Sequence, residues 1–203
     1  MFKGLTKDLS GTADICLIAT DYSKLLAHGY LLPAEEEILF AFASAKEEFV
    51  FTNEALITVR GENATTTRKL VERVEFRDHQ IADVKFETTG RVDRDCELKF
   101  QIGVKSVSID VARKEEDAAK LYYKALVGLA REQEERARRW SFAQSGLERA
   151  AKSLKLRATA PKDAGVVGFA SQTFDWLMTD YAHVNPRCYK VVITKALAGQ
   201  PNQ

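Results

Sequence analysis

Residues 49–59 read FVFTNEALITV, and the fold turns on how that run is paired. Phe49, Phe51, Leu56 and Thr58 sit two apart, while Val50, Ile57 and Val59 fill the alternate positions. Aromatic and β-branched residues at period two, broken at Asn53, predict two strands joined by a tight turn. Asn tolerates left-handed backbone angles, which suits the turn. An isolated hairpin is marginal in water, so this one must belong to a larger sheet.

That sheet is legible on both sides. From Ile38 to Val111 the runs ILFAFAS, EFVFTN, ALITVRG, TTTRKLVERVEF, IADVKFETTG, CELKFQIG and VKSVSIDV follow one another, separated by turn residues. Val84, Phe86 and Thr88 share a face, as do Cys96, Leu98, Phe100 and Ile102, then Val107, Ile109 and Val111. Gly103 permits a tight turn between the last two. About seven short strands in succession predict an antiparallel meander, folded as a sandwich or small barrel.

Outside the strands the period changes. Ala118, Leu121, Tyr122, Ala125 and Leu129 recur at three and four, one face of an amphipathic helix over 113–137. Glu115, Glu116 and Asp117 suit the positive end of its dipole. Glu134 with Arg138, and Glu135 with Arg139, are spaced to pair along a solvated surface. Trp140, Ala143, Leu147, Ala151 and Leu154 continue the helical spacing or restart it near Gly146. Residues 158–168, ATAPKDAGVVG, read as a linker. Two short helices divided at Asn185-Pro186 fit the tail, with Val191–Thr194 open to a strand reading. Before the sheet, Ile15, Ile18 and Ala19 predict a helical lead over 1–35, with Thr12 as its cap and Pro33 as its break.

Composition limits what this architecture is for. The chain has 203 residues, 45% hydrophobic and 29% charged, enough for one globular domain with an appendage. A net charge of +1 gives no whole-molecule pull towards nucleic acid or an anionic membrane. Cys16, Cys96 and Cys188 lie far apart without a C-x-x-C pair, which fits a reducing compartment better than a disulfide or zinc scaffold. The opening residues lack the apolar core of a secretory signal, and no apolar run approaches the roughly 18 residues of a membrane span.

The wording of several segments also resembles the bacterial pleckstrin-homology (PH) domain family. EEFVFTNEALITVRG, ATTTRKLVERVEF, IADVKFETTGRVDRDCELKFQIG and SIDV before an acidic helix start carry the likeness, which covers roughly residues 1–137. Members often read FTN, a hydrophobic triplet, a Gly turn and a later ETxG…D…ELKF stretch; here these are Phe51-Thr52-Asn53, Leu56-Ile57-Thr58, Gly61 and Glu87 to Phe100. Residues 138–203 are similar, more loosely, to the YvbH-like oligomerisation region that follows this domain in some members. The resemblance implies a PH-like barrel or sandwich, mainly β plus α, closed by a helix. It further implies a non-enzymatic module that assembles into homo-oligomers. The loop that holds phosphate-binding cations in eukaryotic PH domains is ASAKEE here, where two Glu stand beside one Lys.

Chemistry-bearing constellations are sparse. His28, His79 and His183 stand alone, without metal-ligand spacing. SFAQSG is no nucleophile elbow, Cys96 falls on an apolar strand face, and neither a P-loop nor G-x-G-x-x-G is present. These residues call for no catalytic group, cofactor or metal. Two features remain. Arg68, Lys69, Arg73 and Arg77 form a candidate anion or lipid patch; Glu72 and Glu75 make a solvated, edge-protecting strand face the plainer account. Trp140, Phe142 and Leu147, with Phe174, Trp176, Leu177 and Tyr181, supply large apolar surface that composition assigns equally to an intrachain helical hairpin packed on the sheet domain and to a surface shared between subunits; the resemblance favours the second, and Trp140, Phe142, Leu147, Ala151, Leu154, Phe174, Trp176 and Leu177 form the candidate oligomer interface. The expectation is a cytoplasmic assembly module whose partner is itself, with a membrane surface or another protein left open as partners and no nucleic-acid role. A peripheral membrane module using the basic residues of strand 65–77 together with Arg136, Arg138, Arg139, Arg149, Lys152 and Lys155 is the alternative.

Overall fold

The computed structural model describes residues 13–32, 35–62, 67–88, 90, 95–157 and 165–199; at 151, 153–157 and 165–171 it describes the backbone alone. The chain divides into two units, Met1–Arg131 with Arg187–Gln203, and Glu132–Pro186.

The first unit is built from β1 (Leu17–Ile18), β2 (Ile38–Ala43), β3 (Glu47–Thr52), β4 (Ala55–Gly61), β5 (Lys69–Glu75), β6 (Ile81–Glu87), β7 (Asp95–Ile102) and β8 (Lys105–Ala112). They form a five-stranded sheet in the order β1-β2-β3-β4-β5 and a three-stranded sheet in the order β6-β7-β8. Among the described residues the architecture is therefore two antiparallel sheets with eight strands in all; of the expected sandwich or small barrel of about seven strands, the closed barrel does not hold and the count is one higher. The opening hairpin is in register as Phe49↔Thr58, Val50↔Ile57 and Phe51↔Leu56.

Both alternating sets of that hairpin are buried. Phe40, Phe42, Phe49, Phe51 and Leu56 meet Leu98, Phe100 and Ile109 of the second sheet in the main core. Phe40 stacks on Phe51 at 4.3 Å and on Tyr122 at 4.8 Å, an offset geometry aromatic pairs favour. On the opposite face, Ala41, Val50, Ile57 and Val59 lie under Leu25 and Ala27 of the lead.

The lead departs from the expected helix. Among its described residues it forms β1 and two 3-10 turns, Tyr22–Lys24 and Leu26–Tyr30. Its backbone is claimed by both sheets. The Cys16 N–H donates to the Asp110 carbonyl at 2.7 Å and its carbonyl accepts from Ala112 N–H at 2.9 Å, while Leu17 pairs with Ala43 of β2. The Glu48 carboxylate accepts from Leu26 and Ala27 N–H, each at 3.0 Å, and fixes the second turn. Thr12 and Pro33 lie outside the described residues.

A 3-10 turn (Arg113–Glu115) leads into α1 (Glu116–Arg157), which runs through Gly146 without a break. Ala119, Ala125, Leu126 and Leu129 are its buried residues in the first unit; Leu121, expected inside, is 42% exposed. The helices α2 (Gly165–Val184) and α3 (Lys190–Leu197) are divided at Asn185-Pro186 as expected. Val191–Thr194 is helical rather than a strand, because Tyr189 and Ile193 share one buried side at i,i+4 while Val191 is 76% exposed. Residues 165–168 of the expected linker open α2, and the rest of it lies outside the described residues.

Candidate functional site

The basic residues of β5 come first. Lys69 and Arg73 share a face of the strand, Arg68 precedes it and Arg77 lies in the turn beyond. The strand between Arg68 and Arg77, Lys69–Glu75, is itself about 20 Å long. Arg73 is turned inward to carboxylates. Its Nη1 donates to both oxygens of Glu36 at 2.8 and 2.9 Å, and its Nε donates to Glu75 at 2.6 Å. The Lys69 ammonium reaches the Lys46 carbonyl at 3.5 Å. Arg68 and Arg77 are exposed.

Glu36 explains why Arg73 is held there. Its side chain is 1% exposed, and it also accepts from Leu32 N–H at 2.7 Å and the Thr52 hydroxyl at 2.6 Å. Burial raises its carboxyl, but these donors and Arg73 outweigh burial and hold it below the usual carboxylate range. The neighbouring turn, Thr52-Asn53-Glu54, is buried although wholly polar. The Asn53 amide donates to the Glu35 carbonyl at 3.1 Å and accepts from Glu37 N–H at 2.9 Å, and its backbone carbonyl accepts from Tyr189 N–H at 2.7 Å. Arg187 donates to Glu54 at 2.7 Å. The β3–β4 turn is thus the point where the lead, β5 and the returning tail are tied together.

The thiols of Cys16 and Cys96 are buried, and burial pushes both up, Cys96 to about 11. Neither suits nucleophilic work at neutral pH. Among the described residues no group of His, Cys, Asp and Glu is placed to hold a metal ion. No described helix is long and apolar enough to cross a membrane.

The second unit presents a different surface. Trp140 of α1 meets Tyr181 of α2 edge-on at 5.3 Å, and the Arg136 guanidinium donates to the His183 carbonyl at 3.1 Å. Beyond that contact the two helices border an apolar groove of about 640 Å³, lined by Trp140, Gln144, Leu147 and Glu148 with Phe174, Leu177, Met178 and Tyr181. None of the described apolar side chains of Glu132–Pro186 is buried. Phe142 is 70% exposed, Phe174 62%, Met178 53% and Trp176 48%.

Of the eight residues singled out in sequence, Trp140, Leu147, Phe174 and Leu177 line this groove. Phe142 and Trp176 lie outside it, and the side chains of Ala151 and Leu154 fall outside the described set. Met178 escaped the reading, and Tyr181, part of the aromatic stripe, joins the groove. The spacing of 174, 177, 178 and 181 carried the signal, since i,i+3,i+4,i+7 marks one helical face.

Two facing antiparallel sheets with a helix packed across their core define a PH-type fold. Residues 11–130 match the family described as the bacterial PH domain, more than half of the chain, and the protein belongs to that family. It is similar to the uncharacterized protein YvbH of Bacillus subtilis (strain 168), 38% identical over 133 residues. That match covers 64% of this chain and 65% of the relative, so just under two thirds of the relative's length is spanned. It is also similar to the crystal structure of a PH-domain-containing bacterial protein from Exiguobacterium sibiricum 255-15, with a TM-score of 0.80 and 32% identity. That likeness covers 91% of this chain and 100% of the other. Bacterial PH domains are generally non-catalytic, which sets the class as a module for binding or scaffolding.

Proposed function

We propose that the protein is a non-enzymatic assembly module of the cytoplasm, in which a PH-like unit is carried by a helical hairpin that joins copies into a homo-oligomer. The observation that carries this reading is the hairpin's exposed apolar surface. A pair of helices that leaves Phe142, Phe174 and Met178 more than half in water, and Trp176 nearly half, lacks the burial that normally holds such helices in place. A second copy of the same surface supplies it. The helix surface is laced with Glu132–Arg136, Glu134–Arg138 and Glu135–Arg139 pairs, so its cations are partly matched before any partner arrives. That disfavours an anionic surface as the main partner.

Light scattering of the full chain over a range of concentrations tests the reading. A mass of several copies is expected, and a single-copy mass at every concentration overturns it. Truncation at Arg139 is not a substitute, because it also removes Tyr189 and Ile193 from the core of the first unit. The alternative is a peripheral membrane module, favoured by the basic residues Arg138, Arg139, Arg149 and Lys152 beside the exposed Phe142. Co-sedimentation with anionic vesicles that weakens with salt supports it.

A further inference from the structure

The groove of the second unit has a one-sided chemistry. Three aromatic rings border it, Trp140, Phe174 and Tyr181, beside Leu147, Leu177 and the thioether of Met178. Its polar lining is the Gln144 amide and the Glu148 carboxylate, one turn apart on α1. Among the described residues no Lys, Arg or His lines it.

The cations of α1 are engaged or placed elsewhere. Arg136, Arg138 and Arg139 are paired with Glu132, Glu134 and Glu135. At about 100° per residue Arg149 falls on the far side of α1, and Lys152 flanks the groove face without lining the groove. Glu148 is exposed, and among the described residues nothing pairs with its carboxylate. The site therefore combines π surface with one negative charge that no neighbour neutralises.

Ring faces are negative and attract a cation, most of all one too apolar to hold its water tightly. A carboxylate at the rim adds to that attraction and opposes an anion of the same shape. A volume of about 640 Å³ suits a whole drug-sized molecule rather than a single inserted side chain. We infer that the groove binds a small lipophilic cation, a quaternary ammonium, phosphonium or hydrophobic amine. Its charge lies against the rings and Glu148, its apolar body against Leu147, Leu177 and Met178. A net charge of +1 gives the whole chain no general pull on cations, so the preference is set locally. Phe142 and Trp176 stand on the outer faces of the two helices, nearly opposite the groove, so this site and the self-association proposed above are separate claims.

Tetraphenylphosphonium and tetraphenylborate test the inference, because they share a shape and differ in the sign of their charge. The chain has two tryptophans, and Trp176→Phe, outside the groove, leaves Trp140 as the only fluorescent one in the full-length protein. Titration of that variant with the phosphonium is expected to change Trp140 emission along a saturable curve, with one cation per chain. The borate is expected to bind at least about tenfold more weakly. Glu148→Gln, which removes the charge, and Phe174→Leu, which keeps an apolar side chain but removes a ring, are each expected to weaken the phosphonium by about twofold to fivefold. Both positions are exposed, so the fold is spared. A flat titration overturns the inference, as does a borate that binds as tightly as the phosphonium, or a phosphonium affinity that neither substitution lowers. Light scattering of the same samples reads the copy number separately, so failure of the cation site is distinguished from failure of self-association.

Discussion

At the scale of single residues, stability is decided where polar groups are buried. Asn53 is 2% exposed and links the lead to the hairpin through Glu35 and Glu37. Asn53→Ala removes the partners of the part-buried Glu35 carbonyl and Glu37 N–H, so a loss of about 1–2 kcal/mol is expected in urea unfolding. A loss below roughly 0.5 kcal/mol means that water replaces both bonds at little cost. Glu36 sets an acid limb. Its folded carboxyl lies below the unfolded value, so its contribution is present above the ordinary carboxylate range and is lost as pH falls through the folded value. Glu36→Gln is expected to destabilise at pH 7 and to flatten the fall in stability below about pH 4.5. An unchanged acid limb places that dependence on other carboxylates. Asp110 has the opposite sign. It stands directly across from Glu97, which itself stands across from Glu87, and burial, then Glu97, Asp95 and Asp14, raise its carboxyl. The protonated form is favoured in the fold, so stability falls as pH rises through the carboxylate range. Asp110→Asn is expected to stabilise at pH 7 by about 0.5–1 kcal/mol, measured by thermal unfolding.

At the scale of elements, alternation succeeded where strands are long and failed where they are short. The inward sets of β7 and β8 (Cys96, Leu98, Phe100, Ile102; Val107, Ile109, Val111) are all buried, as period two predicts. The lead was misread because Ile15, Ile18 and Ala19 satisfy a helical spacing over too few residues to exclude other structures. What decides its conformation is distant in sequence, at Asp110, Ala112 and Glu48. Val191–Thr194 misled in the same way, since β-branching is a local preference and burial of Ile193 overrides it. The eight-residue α3 offers an internal comparison. Ile193→Ala is expected to cost about 2–4 kcal/mol, whereas Val191→Ala, at an exposed position, should change stability by less than about 0.5 kcal/mol. Equal effects would show that α3 does not sit in the core. The interface candidates were half legible: large apolar residues stand out in any sequence, but sorting groove from outer face needed the helix boundaries and exposures.

At the scale of the molecule, the two units differ in what holds them. The first has two sheets whose inner faces share one core, the lead covers the other face of the five-stranded sheet, and Tyr189 and Ile193 of the tail pack into the core. Its hydrogen bonds should open only with global or near-global unfolding. Among its described residues the second unit has helix hydrogen bonds, one aromatic pair and ion pairs along its surface, with no apolar side chain buried. Helices held that lightly fray in isolation and become protected when a partner covers them. Hydrogen exchange at two concentrations separates the cases. Amides of β3, β4, β7 and β8 should exchange at the same slow rate in dilute and concentrated samples. Amides of 140–150 and 172–184 should slow markedly with concentration if copies cover the hairpin. Binding by mass action predicts a protection that rises with free chain concentration, about tenfold for each 1.4 kcal/mol gained. Exchange in the hairpin that is already slow and independent of concentration would mean that it is stable as a single copy, and the exposed aromatics would then have to be assigned to a different partner.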